Sequence, residues 1–193
     1  MNLEIAFGVP ANQKVKAAEI FYDAFQDKFE KIFGPKNRTI RLLSEHLSNN
    51  RTVTASYEGT VVGVGGLKFG GEEFIDITFW QLVQHLKVRI FTFLLLGWVF
   101  ESAVEQNEIL VDALAVAQNM RGQGVGSNLM EFVIDFAHSR EYERVRLFVI
   151  DTNEKAKKFY EKIGFKEEKT YSLIFPLNRI LGFNKAFEMV YKI

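Results

Sequence analysis

Residues 116–127 read Val116-Ala117-Gln118-Asn119-Met120-Arg121-Gly122-Gln123-Gly124-Val125-Gly126-Ser127. The apolar run before them, Glu108 to Val116, predicts a strand. After them Leu129, Val133 and Phe136 recur at helical spacing, which predicts a helix from Gly124 to Arg140. The stretch therefore carries a strand end into a helix start. The first amides of a helix have no intrahelical acceptor. Three glycines in five residues let a bulky anion approach those amides without meeting a Cβ. The helix dipole adds partial positive charge there, and Arg121 adds a full one, so the parts suit a diphosphate. A P-loop would need a Gly-Lys-Ser/Thr ending, and no lysine follows these glycines. A dinucleotide fingerprint counted from Gly122 needs glycine where Ser127 stands, and counted from Gly124 needs it where Leu129 stands. A glycine-rich turn that merely opens a helix is the plainer alternative, and the adjacent arginine weighs against it.

Downstream, Val145, Leu147 and Val149 predict the next strand. Asn153 to Ile163 predicts a helix with Ala156, Phe159 and Tyr160 on its inner face and Gly164 as its C-cap. Phe165–Tyr171 and Ala186–Tyr191 predict two last strands around an apolar excursion, 172–185, that contains Pro176. Upstream, Leu3, Ile5 and Phe7 alternate as a short strand ending at Pro10. Phe21, Phe25, Phe29, Ile32 and Phe33 predict a helix from Ala11 to Phe33 that Gly34-Pro35 stops. Ile40, Leu43 and Leu47 mark a shorter helix. Val53–Tyr57 and Val61–Phe69 predict two strands joined at Glu58-Gly59. Gly63, Gly65 and Gly66 imply close approach by another backbone or a ligand. Apolar positions from Phe79 to Gly97 predict a long helix over 72–100, although Leu86 to Ile90 also alternates like a strand. No repeat, low-complexity segment or linker interrupts the chain, so the expectation is one domain, 1–193, with 72–100 as a helical insertion.

Composition narrows the function classes. The chain has 193 residues, 48% apolar and 25% charged, which excludes disordered and collagen-like classes. Lys+Arg and Asp+Glu are 24 each, so nothing in the charge balance favours nucleic acid or an anionic membrane. The absence of cysteine excludes disulfides, thiolate-ligated metals and a cysteine nucleophile. His46, His85 and His138 lack metal-ligand spacing, and no metal is expected. The segment Arg140–Arg146 is interleaved with Glu141 and Glu143 and reads as a mixed solvated face. Met1-Asn2-Leu3-Glu4 lacks a signal-peptide pattern. The greasiest run, Ile90–Phe100, is shorter than the ~20 residues a membrane span needs. A cytoplasmic protein without membrane contact is the expectation. The 19 phenylalanines predict an aromatic core or a greasy pocket.

Arg121-x-x-Gly124-x-Gly126 after the strand Leu114-Ala115-Val116 resembles the acyl-CoA pyrophosphate motif of the GNAT superfamily of N-acyltransferases. A second block agrees: Asn153-x-x-Ala156-x-x-Phe159-Tyr160-Glu161-Lys162-x-Gly164-Phe165 is similar to the helix and strand that close the coenzyme slot in that family. The resemblance covers roughly residues 108–168, with both blocks in order. It departs at Gln118-Asn119, where relatives often carry Pro-Glu. It implies an α/β fold with a mixed central sheet of six to seven strands and helices on both faces, in which the helix read over 72–100 would be an insertion before the fourth strand. It implies that strands 108–116 and 144–150 splay, leaving backbone groups along Leu114, Ala115 and Val116 for pantetheine. Arg121, Gly122, Gln123, Gly124, Val125, Gly126 and Ser127 would hold the diphosphate. Asn153 would meet the pantetheine arm, beside Ala156 and Phe159. Tyr160 would be the general acid to the departing thiolate, against the plainer reading of a packed aromatic. A carboxylate often deprotonates the amine, and Asp112 is better placed than Glu108, Glu72 or Glu73; a solvent-facing strand aspartate is the alternative.

The resulting expectation is an N-acetyltransferase that moves acetyl from acetyl-CoA directly to a primary amine in a ternary complex. A non-catalytic acyl-CoA-binding regulatory domain would keep the glycine loop and need neither Tyr160 nor Asp112. A peripheral membrane protein using 78–100 as an interfacial helix ranks last, because that helix would have few basic residues on its polar face. The apolar residues Phe79, Trp80, Phe91, Phe93, Trp98, Phe175, Ile180, Leu181 and Phe183 either line an apolar acceptor pocket, or bury each other or make a homodimer face.

Overall fold

The computed structural model describes residues 1–26, 35–75 and 107–193. Seven strands form one sheet in the order β1-β2-β3-β4-β5-β7-β6. They are β1 (Glu4–Phe7), β2 (Thr52–Tyr57), β3 (Thr60–Lys68), β4 (Glu108–Val116), β5 (Arg144–Ile150), β6 (Lys166–Ser172) and β7 (Lys185–Lys192). Every neighbouring pair is antiparallel except β4 and β5, which run parallel. The helices are α1 (Lys14–Ala24), α2 (Lys36–His46), α3 (Val125–Ser139), α4 (Glu154–Ile163) and the short α5 (Leu177–Leu181). The expected mixed α/β architecture is thus the one observed.

Helices cover both faces of the sheet. On one, Leu129, Met130, Val133 and Ala137 of α3 pack against Val53, Ile109, Val111, Val145 and Leu147. These positions recur three and four residues apart, so they fall on one side of the helix. On the other face, Ala17, Ala18, Phe21 and Tyr22 of α1 and Ile40 and Leu43 of α2 pack against Val61, Val64 and Ala115.

The glycines of β3 act differently from the expectation. A Cβ on Gly63 would lie 2.7 Å from Val125 Cγ1 and 2.9 Å from Leu129 Cδ1, and one on Gly66 would lie 2.6 Å from the Phe74 ring. Side chains close over these positions, not a second backbone or a ligand. At Gly65 the nearest atom would be Leu114 Cδ1 at 3.6 Å, an ordinary contact. Gly63→Ala should therefore destabilise the fold by about 1–3 kcal/mol through overpacking. Gly65→Ala should be neutral or stabilising by up to about 1 kcal/mol, because alanine restricts the unfolded chain. Urea unfolding of the two variants checks the opposite signs.

Three stretches depart from the sequence reading. The helix expected over 11–33 begins with a 3₁₀ turn at Ala11–Gln13 and breaks after Ala24, where Phe25 leaves helical geometry and donates its N–H to the carbonyls of Phe21 and Tyr22 before Gln26 is helical again. Its continuation over 27–34 lies outside the described residues, as does the helix expected over 72–100 beyond Ile75. The described start of that segment is not helical: Glu72 bridges Phe69, and Ile75 bridges Leu47. The stretch Arg140–Arg146 is not a uniformly solvated face. Arg144 and Arg146 lie on β5 and bind the fully buried Glu108 at 2.8 and 2.5 Å, and Arg146 also lies 3.6 Å from the buried Glu188. Two buried carboxylates offset the guanidinium, as burial of a charge requires.

Candidate active site

The parallel pair β4–β5 is joined only from Glu108↔Arg144 to Val111↔Leu147, although β4 runs on to Val116 and β5 to Ile150. Beyond that point the strands diverge. A β-bulge accompanies the divergence: Gly66 pairs with Ala113 and Leu67 with Val111, so Asp112 is an extra residue with no partner on β3. The insertion reverses the facing of the strand. Ile109 and Val111 face the α3 core, but beyond the bulge Leu114 and Val116 do so, while Ala113 and Ala115 turn to the α1 side. Bulges re-aim side chains and end pairing in this way, and they recur beside functional sites.

A cleft of about 660 Å³ fills the divergence. Its walls include Asp112 and Leu114 of β4, Phe148 of β5, Asn153, Ala156 and Tyr160 at α4, and Asp23 and Phe25 at the end of α1. A second cavity of about 390 Å³ shares Asp23 and is lined by Val116, Ala117 and Arg121 where β4 leaves the sheet. Asp23, Phe25, Phe148 and Thr152 also line the main cleft, and sequence reasoning did not find them. Phe25 carries the same helical-face signal as any core phenylalanine.

The loop after β4 is built by local geometry. Gln118–Met120 form a 3₁₀ turn. Gly122 and Gly124 sit at φ +76° and +86°, where side chains are strained. A Cβ on Gly122 would meet nothing within 4 Å, and one on Gly124 only Asn128 Nδ2 at 3.5 Å, so both positions are open to a ligand. Gly126 has another reason: its Cβ would lie 3.3 Å from Phe159 Cζ, so glycine lets α3 and α4 close on each other. Arg121 donates from Nε to the Val116 carbonyl at 3.1 Å, fixing the loop and occupying one of the groups expected to face pantetheine. Gln123 donates to the Asn119 carbonyl at 2.9 Å. Val125, Gly126 and Ser127 form the first turn of α3, whose amides have no acceptor within the helix.

Asn153 caps α4, its Oδ1 accepting from the Ala156 N–H at 3.2 Å, while it also borders the cleft. At the other end Gly164 is left-handed at φ +117°. Its N–H bonds the Glu161 carbonyl, and the Phe165 N–H bonds that of Tyr160, a Schellman arrangement. The Tyr160 ring packs edge-on against Phe159 at 5.0 Å and Phe165 at 5.7 Å. Burial pushes its phenol up to about 12, so it stays protonated throughout the neutral range.

Asp112 is open to solvent along the cleft, yet protein crowds its remaining sides. Loss of water there is the largest influence and pushes its carboxyl up to about 6. The charge of Lys68 opposes the rise, Glu73 adds to it, and Arg146 opposes it. The other carboxylates considered are engaged elsewhere: Glu108 as described, Glu72 with Arg51 at 3.0 Å and Glu73 with Lys68 at 2.7 Å. Among the described residues no group of three His, Cys, Asp or Glu side chains could hold a metal ion. Among the same residues no helix is long and apolar enough to cross a membrane.

A family model described as the acetyltransferase (GNAT) family matches residues 18–165. The "Probable N-acetyltransferase camello" of Xenopus laevis is 35% identical over 77 residues, 40% of this chain and 35% of that protein. Its counterpart in Xenopus tropicalis is 30% identical over 81 residues, 42% of this chain and 37% of that protein. The matched part thus spans little more than a third of these curated relatives. Among solved structures, an N-acetyltransferase from Staphylococcus aureus Mu50 superposes with a TM-score of 0.66 at 15% identity, over 97% of this chain and all of that one. Ard1 from Thermoplasma volcanium gives 0.63 at 16% identity, over 100% of this chain and 99% of that one. At such identities the likeness is one of fold. The family model covers well over half of the sequence, including the loop after β4 and the whole of α4, and the chain belongs to the GNAT family of acetyltransferases.

Proposed function

We propose that this protein transfers acetyl from acetyl-CoA directly to a primary amine bound in the same complex. The observation that carries the reading is one cleft, opened by the divergence of β4 and β5, that both Asp112 and Tyr160 line, with the glycine loop following the end of β4. The unpaired edge of β4 around Leu114 and Ala115 offers backbone partners to the pantetheine amides. The loop amides from Gly122 to Ser127 receive the diphosphate, with Arg121 holding the loop in place. The amine nitrogen attacks the thioester carbonyl, a C–N bond forms, and the C–S bond breaks. Asp112 accepts the proton that the amine loses. Full proton transfer from a phenol near 12 to a thiolate, whose ordinary pKa is about 8.5, is uphill. Tyr160 therefore acts as a hydrogen-bond donor to the developing sulfur anion, and solvent protonates the thiolate after it leaves.

A free-thiol assay with acetyl-CoA and a panel of amines tests the reading. Intact CoA binding without transfer to any amine would favour the non-catalytic acyl-CoA-binding alternative. The loop has its own test. Gly124→Asp places a carboxylate beside the diphosphate, where two such charges about 4 Å apart repel by roughly 1–4 kcal/mol. Acetyl-CoA affinity should fall at least tenfold by calorimetry. Gly124→Asn, which tolerates a left-handed backbone without the charge, should lose much less.

A further inference from the structure

We infer that the acceptor is a primary amine carried on an aromatic body, an arylalkylamine in class. This rests on the transferase reading above and narrows its substrate. Two aromatic rings line the cleft that holds Asp112 from different elements: Phe25 where α1 ends, and Phe148 on β5 just past its pairing with β4, where the strand still pairs with β7. Both are half-buried, so each shows part of its ring to the cleft.

Both rings are also held in place. Phe148 packs against Tyr171 with centroids 6.0 Å apart, and the Arg146 guanidinium lies 5.5 Å from its centroid. Tyr171 is itself anchored by its hydroxyl, which donates to the buried Glu188 at 2.8 Å. On the α1 side the Phe25 N–H is bonded to the Phe21 and Tyr22 carbonyls, and its ring lies 6.5 Å from that of Phe21. Rings fixed in this way cover a ligand's apolar surface at little entropic cost. Among the described residues the charged side chains lining the cleft are the carboxylates Asp23 and Asp112. Lys36 holds Asp23 at 2.9 Å, which leaves Asp112 to meet the amine while the rings flank the body that carries it.

The experiment compares 2-phenylethylamine with propylamine at saturating acetyl-CoA, with rates expressed per neutral amine. In the wild-type protein kcat/KM for the aryl amine should exceed that for propylamine by tenfold or more, the order expected for covering a ring. Phe148→Ala should bring that ratio close to one without moving the acetyl-CoA KM. Phe148→Leu, which keeps most of the packing volume, should lower the ratio at least threefold and stands in if the alanine variant does not fold. A wild-type ratio near one, or a ratio that neither substitution moves, overturns the inference and leaves the transferase reading intact. If no amine is acetylated, the transferase reading fails instead. Calorimetric titration of the CoA-loaded protein with the two amines then decides the ring preference: tighter binding of 2-phenylethylamine supports it, and equal binding overturns it.

Discussion

Tyr160→Phe is expected to lower kcat by about 10²–10³-fold, the usual cost of removing one donor aimed at developing charge. Acetyl-CoA affinity should stay within about twofold. The substitution leaves the ring and its contacts with Phe159 and Phe165 in place. The hydroxyl has no partner among the described residues, and burial alone raises its pKa, so its removal orphans nothing in the resting protein. The loss should fall in the chemical step, where the sulfur gains charge. Two further readouts separate this role from packing. Because the phenol ionises only near 12, the wild-type rate should show no basic limb from Tyr160 below about pH 11. An acetyl thioester with a more acidic leaving thiol should also lose less on substitution, since its thiolate needs less help. If kcat is unchanged while chemistry limits the rate, Tyr160 is a packing residue.

The parts of the candidate site that were legible in the sequence are those built by neighbours in the chain. The loop Arg121–Ser127 declares itself through glycines at positions where φ is positive or a helix must approach. The helix bearing Tyr160 declares itself through Asn153, Gly164 and the spacing of Ala156, Phe159 and Tyr160. The missing parts depend on residues far apart in sequence. The bulge at Asp112 exists only in the pairing of β4 with β3, and the apolar run Glu108–Val116 carries no mark of it until the partner's register is known. Phe25 reaches the cleft because α1 ends at Ala24, although no proline or glycine marks that point. Gly63 and Gly66 announced close approach correctly, but only tertiary packing says that Val125, Leu129 and Phe74 are what approaches. Glu108 and Arg146 form a buried ion pair across parallel strands, and a local reading of charge in 140–146 has no access to it.

The pH dependence of the Asp112 variant should be the most specific signature of the site. A base must be ionised, so the fraction of competent enzyme falls tenfold per pH unit below about 6. The acceptor amine adds its own slope of one at every pH below its pKa. Log kcat/KM should therefore rise with a slope of about two below pH 6 and about one above it. Asp112→Asn should abolish the break and leave a slope of one throughout, with a rate near pH 7.5 lowered by about 10²–10⁴-fold. Stability gives an independent check with a definite sign. Folding raises this carboxyl from its ordinary 3.8 to about 6, so the protonated form is the one the fold favours. Its contribution is fully present below about pH 4 and is lost as pH rises through 6. Asparagine imitates the neutral form at every pH. The variant should match the wild-type Tm at pH 4 and exceed it at pH 8. A break at pH 6 that survives in Asp112→Asn, with no difference in Tm at pH 8, would move the base to another group and return Asp112 to the role of a solvated strand aspartate.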